Sequence, residues 1–149
     1  MKKIIVALLA IMTYTSCNAA ELAIIGHGIS KHLDNHNFNE RDYGAALRYQ
    51  EGEFGIQIGD YHNSIRKNTV YAGFDWSPIH FNVSECLNVE VGIFAGSATG
   101  YKYAVTPITG LQAAVRCNNV FVRARIIPDV IYNSKAVGAI EFGIVLLKF

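Results

Sequence analysis

Val137-Gly-Ala-Ile-Glu-Phe-Gly-Ile-Val-Leu-Leu-Lys-Phe149 closes the chain, a strand-like run that stops on an aromatic residue. Within it Glu141 opposes Ile140, Phe142 and Ile144, the period-two alternation of a strand with one polar and one apolar face. The other end of the chain has the anatomy of an export leader. A short exported chain whose last strand ends on Phe predicts an all-β fold: a single eight-stranded antiparallel outer-membrane β-barrel. That prediction decides which residues can meet in space.

Residues 1–20 read as a signal peptide. Lys2 and Lys3 form a positive start, Ile4 to Met12 an apolar core, and Cys17-Asn18-Ala19-Ala20 a small-residue exit. The apolar core is far shorter than the ~20 residues a spanning helix needs. Cleavage is expected after Ala19 or Ala20. Cys17 as a lipid acceptor is the alternative, although Tyr14 stands where such a motif prefers Leu. Residues 21–149 then form one domain.

Loss of Lys2 and Lys3 lowers the basic count from 13 to 11 against 12 acidic residues, a formal charge of −1. That balance argues against a nucleic-acid partner. The chain is 51% apolar, yet no segment after the leader is a charge-free run long enough for a membrane helix. Such a chain buries its apolar surface in a core or shows it to lipid through a barrel.

Pattern and punctuation divide the mature chain into eight runs, near 22–31, 43–50, 54–61, 69–78, 87–97, 105–115, 120–127 and 137–149. Pro107 falls inside the sixth run, which predicts a bulge or a weakened pairing there. Connections after runs one, three, five and seven are the longer ones. Those after two and six are tight, and the one after run four is an exception at about eight residues. Long outer loops with short inner turns are the bacterial barrel habit. Tyr43, Tyr61, Tyr71, Tyr101, Tyr103 and Tyr132 cluster near the longer loops, where an aromatic girdle would lie. Cys86 and Cys117 both fall on the short-turn side, flanking runs five and six. Export permits a disulfide between them, with two unpaired thiols as the alternative.

Alternation also supplies an interior. Arg123 and Arg125 oppose Val122, Ala124 and Ile126, and Glu90 opposes Val89 and Val91. Glu90, Arg123, Arg125, Glu141 and Asp75 are therefore expected to point into the lumen, where such charges must pair. A soluble lipocalin-like barrel would invert this polarity and is the competing fold.

Four histidines, His27, His32, His36 and His62, fall between the first run and the second outer loop. Their spacing is not a zinc signature, so neither a metal nor a cofactor is expected. A His near a hydroxyl, such as His27 with Ser64, is the arrangement of a general base for acyl transfer.

Several stretches resemble the lipid A palmitoyltransferase family, eight-stranded outer-membrane acyltransferases. Gly26-His27-Gly28 is similar to the segment carrying that family's catalytic His. Asn39-Glu40-Arg41 with Tyr43-Gly44 resembles the opening of its second strand. Asn63-Ser64 matches its catalytic Asp-Ser pair, and Ala72-Gly73-Phe74-Asp75-Trp76 its Ala-Gly-aromatic-Gly-Trp stretch. Ile127-Pro128, Asn133 and Phe149 fit its last hairpin. The resemblance implies outer-membrane lipids, phospholipid and lipid A, as partners of a monomeric barrel. His27 would be the general base, Ser64 would contact the acyl carbonyl, and Asn63 would donate to an oxyanion. Asn63 replaces the family's acid, however, and Asp75 stands in place of the Gly flooring its acyl pocket. The first strand also begins with no room for the family's N-terminal helix, and the segment from His27 to Asn39 is two residues shorter. A non-catalytic small barrel with a structural, adhesive or surface-masking role is the alternative.

Overall fold

A computed structural model describes residues 20–33, 38–101, 103–128 and 136–149. The leader apart from Ala20, and also Cys17, His36, Tyr132 and Asn133, lie outside the described residues. Eight strands follow in order: β1 (Ala20–His32), β2 (Arg41–Glu51), β3 (Phe54–His62), β4 (Asn68–Asn82), β5 (Leu87–Ala98), β6 (Thr106–Cys117), β7 (Val120–Ile127) and β8 (Val137–Lys148). Each pairs antiparallel with the next, and β8 returns to β1 through Ile24↔Ile144 and Gly26↔Phe142, closing the barrel. Closure removes the free sheet edges that would otherwise invite association.

The polarity is inside-out. Leu47, Ile56, Phe74, Val122, Phe142 and Ile144 stand exposed on the outer face, while Arg48, Gln57, Asp75, Arg123 and Glu141 are buried within. A soluble barrel cannot tolerate that distribution in water. Lipid around the outer face removes that apolar surface from water, and strand pairing around the closed barrel satisfies the backbone that crosses it. The lipocalin-like alternative therefore fails on side-chain direction.

The short-turn end is built from tight hairpins. Glu51↔Phe54 and Cys117↔Val120 leave two-residue turns. Gly52 and Asn118 hold positive φ at their first positions, where these residue types bear it most readily. Cys86 and Cys117 are joined as a disulfide, with Cα atoms 4.8 Å apart, stapling the β4–β5 turn to the β6–β7 turn.

Two expectations need correction, and of the two expected at Pro107, a bulge or a weakened pairing, the second holds. The long connection after the fourth strand does not exist, because β4 continues to Asn82 and leaves a turn of 83–86. Ser77 and Pro78 break the apparent pattern because the β4–β5 register shifts between Trp76 and Ile79, and a bulge accommodates the missing N–H. Pro107 lies in regular register with Ser97. β6 pairs with β7 only from Leu111 onward, so Pro107 sits where β6 has one neighbour instead of two. The aromatic girdle is also only partial. Tyr43 faces outward, but Tyr71 is buried and Tyr61 shares the inward parity of Gly55 and Gln57.

Candidate functional site

The waist of the lumen is a plug of charges. Glu141 on β8 has Arg123 of β7 directly opposite on one side and His27 of β1 directly opposite on the other. Arg123 Nε donates to Glu141 Oε2 at 2.7 Å, and Arg125 Nη1 donates to Glu141 Oε1 at 3.3 Å. Asp75 on β4 is fully buried and accepts from Arg48 Nε at 3.2 Å and from Arg48 Nη2, with Arg123 Nη1 at 3.6 Å. Gly55, on the strand between β2 and β4, makes this reach possible. A Cβ there would lie 2.7 Å from Arg48 Nη2 and 2.8 Å from Asp75 Oδ2. Gln57 accepts from Arg123, and Gln112 accepts from Arg125 while donating to Ser77. Each carboxylate is thus held by two guanidinium groups, the condition under which buried charge is tolerated.

Below the plug, Arg116 pairs with Glu21 at 2.8 Å and Glu90 at 3.3 Å and caps the short-turn mouth. Glu90 faces the lumen as its alternation predicts, but it belongs to this lower cluster and not to the Arg123–Glu141 group.

Above the plug, the outer half of the barrel encloses a cavity of about 520 Å³. Arg125, Glu141 and His27 form its floor. His27 Nδ1 lies 3.3 Å from Glu141 Oε1, and His27 Nε2 lies 3.0 Å from the Tyr71 hydroxyl. The Tyr61 and Tyr101 hydroxyls meet at 2.7 Å, and burial pushes the Tyr101 phenol above its ordinary range. Asp42, near the start of β2, borders the cavity with its Oδ1 buried and without a hydrogen-bond donor among the described residues.

The sequence-predicted pair of His27 and Ser64 borders this one cavity. Both ring nitrogens of His27 are engaged by Glu141 and Tyr71, however, and no hydrogen bond joins His27 to Ser64. Asn63 is fully buried and organises the β3–β4 turn. Its Oδ1 accepts from the amides of Ile65 and Lys67, and its Nδ2 donates to Thr69 Oγ1 and to the Gly100 carbonyl. An amide so occupied has no donor left for an oxyanion. Among the described residues no group of three His, Cys, Asp or Glu side chains is arranged to hold a metal. Arg48, Asp42, Tyr61, Tyr71 and Tyr101 are site residues that sequence reading overlooked. Arg48 was legible from its parity between outward Leu47 and Tyr49, and Tyr71 from its parity with Asp75.

The fold and its lining define a membrane-spanning eight-stranded β-barrel of the outer-membrane kind. No protein family model matches the chain, and no curated protein does. Among solved structures it is similar to Ail, the attachment invasion locus protein of Yersinia pestis. There the identity is 16% over 89% of this chain and 99% of that one, with a TM-score of 0.49. It is also similar to the N-terminal β-barrel domain of Pseudomonas aeruginosa OprF, at 14% identity over 87% and 98% of the chains and a TM-score of 0.46. Ail in complex with the heparin analogue sucrose octasulfate gives 16% identity, 89% and 99% coverage and a TM-score of 0.42.

Proposed function

We propose that this is a non-catalytic outer-membrane barrel that works through its outer vestibule and loops, in a surface-binding or structural role, as a monomer. One observation carries the reading. Asp75, at the position where lipid A palmitoyltransferases have a pocket-floor Gly, is locked between Arg48 and Arg123 in a filled waist. An acyl chain cannot extend through a plug of paired charges without stripping them of their partners. The commitment of Asn63 to its turn points the same way.

The test is mass spectrometry of lipid A and phospholipids from cells expressing the wild type, His27→Ala or Ser64→Ala. Identical lipid profiles are expected, with all three proteins in the outer membrane. An acyl chain gained or lost with the wild type alone would refute the proposal. That outcome would establish the second reading, acyl transfer or deacylation of outer-leaflet lipids, which the shared cavity of His27 and Ser64 favours.

A further inference from the structure

Two carboxylates border the vestibule, and their surroundings differ. Glu141 holds Arg123 and Arg125. Asp42 has no guanidinium or ammonium partner among the described residues, and its Oδ1 is buried without a donor. The groups facing it are the Ser30 hydroxyl, the imidazoles of His27, His32 and His62, and the phenols of Tyr61 and Tyr101. Asp42 is half-buried and accepts a hydrogen bond from the Ser30 hydroxyl, whereas its Oδ1 is buried without a donor among the described residues, and an unsatisfied carboxylate oxygen beside a cavity leaves a place for a cation.

The walls around that carboxylate favour one kind of cation. Tyr61 and Tyr71 pack edge to face with ring centroids 5.6 Å apart, and His27 lies 5.3 Å from Tyr61 and 5.4 Å from Tyr71. Phenol faces attract a positive charge through their quadrupoles, most strongly when water is excluded. A carboxylate and aromatic rings lining one chamber of about 520 Å³ suit an organic ammonium group better than a hydrated metal ion. They also suit ammonium better than an anion, which Asp42 would repel.

We infer that the outer vestibule binds an organic ammonium group on Asp42, in the cavity that Tyr61, Tyr71 and Tyr101 also line. The group is carried either by a free amine or by a phospholipid headgroup. This inference rests on the vestibule being a binding site and not a reacting one. A lipid profile that changes with His27 would overturn the proposed function and this inference with it, whereas failure to bind amines overturns only the present inference.

The mature protein refolded in nanodiscs is titrated with choline and, separately, with its uncharged isostere 3,3-dimethylbutanol, read by calorimetry and tyrosine fluorescence. Saturable choline binding is expected, at least about tenfold tighter than binding of the isostere, from cation–π and carboxylate contacts together. Asp42→Asn and Tyr101→Leu should each weaken choline while leaving the isostere unchanged. Heat-modifiable mobility checks that each variant is folded, and if Asp42→Asn does not fold, Tyr101→Leu and the charge comparison decide. Nanodiscs of phosphatidylethanolamine against phosphatidylglycerol separate the sources. Weaker apparent choline binding in the former identifies a lipid headgroup as the competing occupant, and equal binding identifies a free amine. Absence of saturable choline binding, equal affinity for the isostere, or unchanged affinity in folded Asp42→Asn overturns the inference.

Discussion

Replacement of Asp75 by Ala isolates what the plug contributes. In the folded barrel the Asp75 carboxylate is fully buried, Arg48 is 3% exposed and Arg123 is 1% exposed. Removing the carboxylate leaves Arg48 with only its bond to Gln50, while Arg123 keeps Glu141 and Gln57. The main loss is therefore one buried guanidinium stripped of its counter-charge, for which about 3–5 kcal/mol is the general magnitude. At ~1.4 kcal/mol per factor of ten, the folded-to-unfolded ratio should fall by two to three and a half powers of ten. The assay is urea unfolding of the refolded barrel in lipid vesicles, followed by loss of the heat-modifiable gel band. The partner experiment removes both charges, Arg48→Met with Asp75→Leu. It should recover most of the loss, because an apolar pair of similar volume leaves no charge unmatched. A single Asp75→Ala variant within about 1 kcal/mol of wild type would refute the reasoning, since it would mean that the pair carries only the weight of a solvated surface bridge. A double variant no better than the single would refute it equally, by showing that packing and not charge had been lost.

Other consequences are more local. Gly55→Ala forces a methyl between Arg48 and Asp75 and should cost about 1–3 kcal/mol in the same unfolding assay; that penalty should shrink in an Asp75→Ala background if the clash is the cause. Phe142→Arg puts a charge on the lipid face and should destabilise the barrel by about 2–4 kcal/mol if Phe142 sits near the bilayer midplane, whereas a soluble barrel would accept it in vesicle-free buffer. Removing the disulfide by Cys86→Ser with Cys117→Ser should lower stability by roughly 3–4 kcal/mol on the chain-entropy model, visible as a lower urea midpoint than the oxidised wild type. With Arg48, Asp75 and Arg123 blocking the waist, planar-bilayer recordings should show no steady conductance in the wild type.

The alternation of Arg123 and Arg125 against Val122 and Ala124 already showed which side of β7 faces the lumen, and Glu141 was legible in the same way. Their mutual pairing followed once the β7–β8 register put Arg123 opposite Glu141. Arg48 and Asp75 were harder. They sit two strands apart, and their contact needs both the barrel's curvature and a glycine between them. The tyrosines misled for a related reason. Proximity to the outer loops suggested a girdle, but inward parity sends Tyr61 and Tyr71 into the cavity, where their hydroxyls find partners in Tyr101 and His27. His27 and Ser64 border one cavity, and the hydrogen bonds of His27 run to Glu141 and Tyr71.

By itself the sequence determined the number of strands, their antiparallel order, their inside-out polarity and the end of the barrel that carries the long loops. All of these follow from period-two patterning and turn chemistry, which act over a few residues. Only the tertiary structure decided which inward side chains lie at the same height, because closing the sheet staggers each strand against its neighbours. That stagger gave Asp75 to Arg48, gave His27 to Glu141 and Tyr71, and left Asp42 beside the cavity without an arginine or lysine partner among the described residues.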